Sequence, residues 1–121
     1  MTIGYVTIGC HDVEAAVPFF EKTLKPLGYE RSYPAPGGAF FGPRDAPPTL
    51  EILTPFDGGP PRAGNGIMVA LQAQSKEQVH AVHAAALANG GSDEGAPGYR
   101  PPGAENGFYG AYFRDPVGNK F

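Results

Sequence analysis

The chain nearly repeats itself, and that repeat constrains its fold more than any other feature. One stretch reads GYVTIGCHDVEAAVPFFEKTLKPLGYE and a later one reads GIMVALQAQSKEQVHAVHAAALANGGS. Matched without gaps, Tyr5 falls on Met68, Asp12 on Ser75, Val13 on Lys76, Leu24 on Leu87 and Gly28 on Gly91. Asp and Ser are both favoured N-caps, because a side-chain oxygen takes up an orphan N–H of the first helical turn. A glycine suits the helix stop, where the chain turns left-handed. Strand, cap, helix and stop therefore recur in register. Two such copies can build one cavity from two equivalent halves, and strand parity then says which side chains face it.

Residues 3–10 (IGYVTIGC) alternate with period two. This predicts a strand with Val6, Ile8 and Cys10 under a helix and Tyr5 and Thr7 on the opposite face. A first helix is expected over about Val13–Leu27, with Ala16, Phe19, Phe20, Leu24 and Leu27 as its apolar stripe. Pro18 should bend it or leave its first turns irregular, and Pro26 helps to stop it. Strands are expected at 29–33, 38–42 and 49–54, then a linker of turns, a strand at 66–73 and a second helix over about Lys76–Asn89. A long loop at 95–107, a strand at 108–114 and the turn DPVGN complete the reading. The core set under the helices is Val6, Ile8, Phe19, Phe20, Leu24, Val69, Leu71, Val79, Val82 and Leu87. The fold class is α+β, as one domain over 1–121: module one at about 1–56, a linker at about 57–65 and module two at about 66–121.

Composition narrows the function. A net charge of −3 gives no basic footprint, so nucleic acid is disfavoured as a partner. The single cysteine, Cys10, excludes an internal disulfide and a cysteine-based zinc site. No apolar run reaches membrane-spanning length, and no secretory leader pattern opens the sequence. A cytoplasmic protein with no membrane partner is expected.

Three segments carry a family resemblance. They are VTIGCHDVEAAVPFFEKTLKPLGYE, GIMVALQAQSKEQVHAVHAAALANGG and FYGAYFRDPVGNKF, whose RDPVGNKF is similar to a terminal DPDGN-type hairpin. Together they resemble the vicinal oxygen chelate superfamily, also called the glyoxalase/bleomycin-resistance/dioxygenase superfamily. The resemblance implies two βαβββ modules whose sheets form a curved mixed cup. It also implies, in metal-dependent members, a His, a Glu, a second His and a final Glu on the first and last strands of the modules. Those positions fall here on Tyr5, Glu51, Met68 and a place after Phe121. One carboxylate with a phenol and a thioether is a poor site for magnesium, manganese, zinc or ferrous iron, so no metal and no cofactor are expected.

Glu51 and Tyr5 are the candidate catalytic pair, a carboxylate base and a phenol acid acting on one substrate. Thr7, Met68, Tyr109 and Arg100 are the candidate ligand contacts. Each has a plainer reading. Tyr5 and Met68 can simply fill space, and Glu51 can pair with Arg31, Arg44 or Arg114. His80 and His83 are three apart on the second helix with no third ligand, and read as surface or helix-packing residues. Cys10 reads as an inert buried thiol. Tyr99, Arg100, Glu105 and Asn106 belong to the 95–107 loop, which can close over a cup mouth or stay solvated.

The leading expectation is a metal-independent, small-molecule-binding protein of the glyoxalase/bleomycin-resistance type. One alternative is a divergent lyase, isomerase or dioxygenase-like enzyme using Glu51 and Tyr5. Another is a resistance protein that sequesters an aromatic drug against Tyr5, Phe40, Phe41, Tyr109 and Tyr112. A homodimer is expected, since short modules leave edge strands open.

Overall fold

The computed structural model describes residues 2–121, without the side chains of Tyr33 and Pro34. Its elements are β1 (Val6–Gly9), α1 (Val13–Leu24) with a 3-10 turn at Lys25–Leu27, β2 (Tyr29–Ala35), β3 (Gly38–Pro43), β4 (Leu50–Leu53), α2 (Lys76–Ala88), β5 (Ser92–Arg100) and β6 (Phe108–Arg114). The first four strands form one sheet in the order β1-β4-β3-β2, and β5 pairs with β6. β1 runs parallel to β4, and the other pairs are antiparallel. The fold is α+β, with a mixed, curved and unclosed sheet.

Local chemistry sets both helices. Asp12 Oδ1 accepts from Ala15 N–H at 2.9 Å, and Ser75 Oγ accepts from Gln78 N–H at 3.2 Å. Both caps therefore form as the repeat predicts. Pro18 does not interrupt α1, which runs from Val13 to Leu24, although it cannot donate to the Glu14 carbonyl. Pro26 converts the last turn to 3-10 geometry, and Gly28 at φ +78° ends it. The stop of α2 departs from the repeat. Its left-handed residue is Gly90, at φ +103°, and not Gly91. Gly91 is needed for closeness instead: a Cβ there would lie 2.6 Å from the Arg114 carbonyl oxygen.

The helix-facing parity holds in the first half. Ile8, Cys10, Ala39, Phe41, Leu50 and Ile52 are all buried against α1, which contributes Val17, Phe19, Phe20 and Leu24. Val6, Val69 and Leu71 pack at the rim of this core, and Val82 lies within it. Leu87 does not: it is 40% exposed, and Ala86 is fully buried in its stead. α2 turns its small residue inward, because its sheet approaches closely.

Two expected segments differ. Residues 66–73 form no strand ladder; a single backbone bond, Val69 N–H to the Lys120 carbonyl at 3.0 Å, holds them to the end of the chain. The expected 95–107 loop is shorter, because β5 extends to Arg100. Its pairing shifts between Asp93 and Gly95 and again between Gly95 and Gly98. Pro97 sits inside the second shift, where no ladder N–H is required. The remaining turn closes through Ala104 N–H to Pro101 and Gly107 N–H to Ala104.

The halves are joined at the DPVGN turn. Asp115 is buried and takes the N–H groups of Val117, Gly118 and Asn119 on Oδ1. Asn119 Nδ2 then donates to the Gly9 carbonyl at 3.0 Å, tying that turn to the end of β1.

Candidate functional site

Away from α1, the first sheet shows a face of different character. Glu51 on β4 pairs with Thr7 on β1 and with Phe40 on β3, so these three side chains point the same way. Tyr5 continues that face, and its ring stands edge-on to Phe40 with centroids 5.6 Å apart. Tyr5 and Thr7 are exposed, while Glu51 and Phe40 are half-buried. The face is thus a carboxylate set between a hydroxyl and an aromatic wall.

Glycine makes room for the carboxylate. A Cβ on Gly38 would lie 2.8 Å from Glu51 Oε2, so the acid lies back over bare backbone. At the other end, Gly9 admits the linker: a Cβ there would come within 3.1 Å of Pro61 Cβ. The chain between the halves therefore walls one edge of this face. Neither Gly38 nor Pro61 carries a sequence signal beyond its place in a glycine- and proline-rich run.

The arginines that could neutralise Glu51 are engaged elsewhere. Arg31 makes a two-pronged pair with Glu14 at 2.8 and 3.1 Å, Arg44 pairs with Glu30 at 3.2 Å, and Arg114 pairs with Glu94. Among the described residues, Glu51 has no ion pair and no side-chain hydrogen bond. Charge-assisted pairing holds the Glu14 and Glu94 carboxyls below the ordinary range.

The other candidates fall in a second region, where β6 meets α2. Tyr109 gives its hydroxyl to a 2.6 Å hydrogen bond with His80 Nε2 and stands edge-on to Tyr99, with centroids 4.9 Å apart. Lys76 Nζ lies 4.6 Å from the Tyr99 ring and 5.2 Å from the Tyr109 ring; the Tyr99 hydroxyl, above all, raises its pKa. Arg100 is held on its own hairpin, donating to the Ala96 carbonyl at 2.7 Å and lying over Tyr112. Met68 is 43% exposed and lines a cavity of about 440 Å³ between α2, residues 68–76 and β6. Tyr5, Thr7 and Glu51 are thus brought together, and Met68, Tyr109 and Arg100 belong to the other half. No side-chain hydrogen bond or ion pair among the described residues links the two groups.

His80 and His83 tie α2 to the hairpin beside it. His83 Nε2 meets Asp93 Oδ1 at 2.9 Å, which lowers the Asp93 pKa, helped by the Gly95 N–H. Cys10 is buried, and burial, followed by the charges of Asp12 and Asp115, raises its pKa. This thiol is therefore a weak nucleophile at neutral pH.

Three of the ligand positions implied by the resemblance lie within residues 1–121. Of the positions the sequence spans, Tyr5 offers a phenol, Met68 a thioether and Glu51 a carboxylate, a poor set of donors for a hard divalent ion. Among the described residues, no group of three His, Cys, Asp or Glu side chains could hold a metal ion. No helix among them is long and apolar enough to cross a membrane.

Comparison with known proteins agrees with this architecture. A glyoxalase/bleomycin resistance protein from Albidiferax ferrireducens T118 is 37% identical, with a TM-score of 0.84 over 97% of this chain and 92% of that one. A glyoxalase/bleomycin resistance protein/dioxygenase from Nocardioides is 28% identical, with a TM-score of 0.62 over 99% and 80% of the two chains. A family enzyme from Burkholderia phytofirmans PsJN, at 18% identity, shares the fold with a TM-score of 0.71 over 100% and 95%. No curated protein matches the chain. The model of the Glyoxalase/Bleomycin resistance protein/Dioxygenase superfamily matches residues 2–121. With that match over nearly its whole length, the chain belongs to the glyoxalase/bleomycin resistance protein/dioxygenase superfamily.

Proposed function

We propose that this protein binds a small organic molecule on the open face of its first sheet, without a metal ion. The observation that carries the reading is Glu51. The residue is half-buried between Thr7 and Phe40, its carboxylate lies over Gly38, and it has no cationic partner among the described residues. A ligand that donates to this carboxylate gains a charge-assisted hydrogen bond that no side chain of the protein already takes up. The aromatic wall of Tyr5 and Phe40 favours a flat apolar body. The ligand class is therefore an aromatic or other flat molecule bearing an amine, amide or hydroxyl donor. A thermal-shift screen of aromatic amines and alcohols tests this. Hits should raise the melting temperature of the wild type and lose most of that rise in Glu51→Gln. Hits that stabilise both proteins equally would place the ligand elsewhere.

The molecule works, on this reading, as one domain of two modules, at about 1–56 and 66–121, joined by the linker at about 57–65. It pairs as a homodimer in the cytoplasm. The apolar side chains of Ile3, Phe56 and Ile67, each more than half exposed, support pairing. Sedimentation at micromolar concentration checks it: a monomer there would refute the dimer. A single cysteine, with no internal disulfide to form, supports the reducing compartment. Fractionation of cells checks that placement, and recovery outside the cytosol would refute it.

A further inference from the structure

Glycine follows asparagine at three places: Asn65–Gly66, Asn89–Gly90 and Asn106–Gly107. That pair is chemically labile. The backbone nitrogen after an asparagine can attack the side-chain amide carbon, and glycine, with no Cβ, leaves the approach open. The reaction needs two freedoms: a side chain able to turn onto the main chain, and an N–H that no carbonyl holds. The fold decides which of the pairs has both.

Two pairs are held. Asn89 caps the C-terminus of α2 and is part-buried. Its Nδ2 donates to the Ala85 carbonyl at 2.7 Å and its own N–H to the Ala86 carbonyl at 3.3 Å, so the side chain is pinned back along the helix. At the second pair the nitrogen is engaged: Gly107 N–H donates to the Ala104 carbonyl at 2.7 Å. Asn65 differs on both counts. Asn65 and Gly66 form an exposed turn where the linker meets the second half, with Gly66 at φ +93°. A Cβ on Gly64 would collide with Ile67 Cδ1, so the Ile67 side chain closes over the start of the turn and leaves its tip to solvent. Neither the Asn65 side chain nor the Gly66 N–H makes a hydrogen bond among the described residues.

We infer that Asn65 is a self-modification site, converted to an aspartyl or isoaspartyl residue by the Gly66 nitrogen and water while Asn89 and Asn106 stay intact. The Gly66 nitrogen loses its proton and bonds to Asn65 Cγ. The Cγ–Nδ2 bond breaks, and the amide leaves as ammonia with that proton. Water then opens the cyclic imide at either carbonyl. A neutral side chain becomes a carboxylate, and the isoaspartyl product adds a methylene group to the main chain between the halves.

The test holds the whole protein at mildly alkaline pH, below its unfolding temperature, and follows it by peptide mass mapping beside a portion unfolded in urea. In the folded protein, the mass gain of amide-to-acid conversion should appear first in the peptide containing Asn65. Asn89 and Asn106 should lag by at least about tenfold, since each must first give up a hydrogen bond. In urea all three should convert at similar rates, because glycine follows each of them. Asn65→Gln, whose longer side chain has to close a larger ring, should abolish the early conversion and leave the other sites unchanged. An early mass gain that survived in Asn65→Gln would overturn the inference. So would equal rates at the three sites in the folded protein, or an Asn65 that outlasted Asn89 or Asn106.

Discussion

The two halves of the molecule repeat one strand order yet hold their helices in different ways. α1 buries Val17, Phe19, Phe20, Thr23 and Leu24, whereas α2 buries only Val82 and Ala86. Where the repeat has Val17 and Phe20, it has His80 and His83 in the second copy. Those histidines bond to Tyr109 at 2.6 Å and Asp93 at 2.9 Å. Apolar burial is non-directional and grows with area, while a hydrogen bond holds at one distance and nets little against water. The same topology thus yields a half stabilised by volume and a half positioned by polar contacts. The face with Glu51 sits on the first, and the cavity lined by Met68 and Tyr109 lies in the second, where local opening costs less.

The largest expected effect tests that contrast directly. The Phe20 ring packs on Phe19, Phe41 and Phe121, with centroids 5.0, 6.1 and 5.9 Å away. Phe20→Ala should cost about 3–5 kcal/mol in urea unfolding, through lost burial plus the cavity left behind. Val82→Ala, the loss of a buried side chain of α2, should cost about 2 kcal/mol, because it removes only two carbons. Equal losses would mean that α2 depends on burial as strongly as α1 does.

That contrast also explains what was legible in the sequence. The caps Asp12 and Ser75, the helix stop at Gly28 and the inward parity of Ile8 and Cys10 rest on local rules, and each stands in the structure. Leu87 and the strand at 66–73 were misread because the repeat was taken as equal in packing. Module-one volumes do not transfer to a helix that faces its sheet with alanine and histidine. The reach of β5 through Gly95, Pro97 and Gly98 was hidden, since glycine and proline mark a bulged strand and a loop alike. At the site, parity placed Tyr5 and Thr7 on one face and the resemblance supplied Glu51, but that Glu51 has no arginine partner among the described residues is a tertiary fact. The His80–Tyr109 bond spans 29 positions, and no local pattern announces it.

A smaller effect separates polar groups that are satisfied from one that is not. Tyr109→Phe removes the hydroxyl bonded to His80 and should cost about 1 kcal/mol in thermal unfolding. Thr23 sits in the apolar half with its Oγ1 buried and no partner among the described residues. Thr23→Val keeps the shape and removes that orphan, so it should be neutral or stabilising by up to about 1 kcal/mol. A clear loss from Thr23→Val would show that the first half, too, depends on a polar contact.

The smallest effect is the pH dependence that the second half shows on its own account. Asp93 has its pKa lowered first by the His83 hydrogen bond and then by the Gly95 N–H; Arg114 lowers that of its neighbour Glu94. A carboxyl whose folded pKa is depressed binds its proton more readily in the unfolded chain. Its contribution to stability is present above the unfolded value, about 4, and is lost as pH falls through the folded value. Both groups are well exposed to solvent, so the change is modest and weakens with salt. Amide exchange measured in steps below about pH 5 should show α2 and β5 opening more readily as acid is added. Asp93→Asn should flatten that response in α2 and β5. Glu14→Gln, which breaks the Arg31 pair in the first half, should leave it in place. If Glu14→Gln flattened the second-half response as strongly as Asp93→Asn, the polar contacts would be acting on global stability, and the division between the halves would fail.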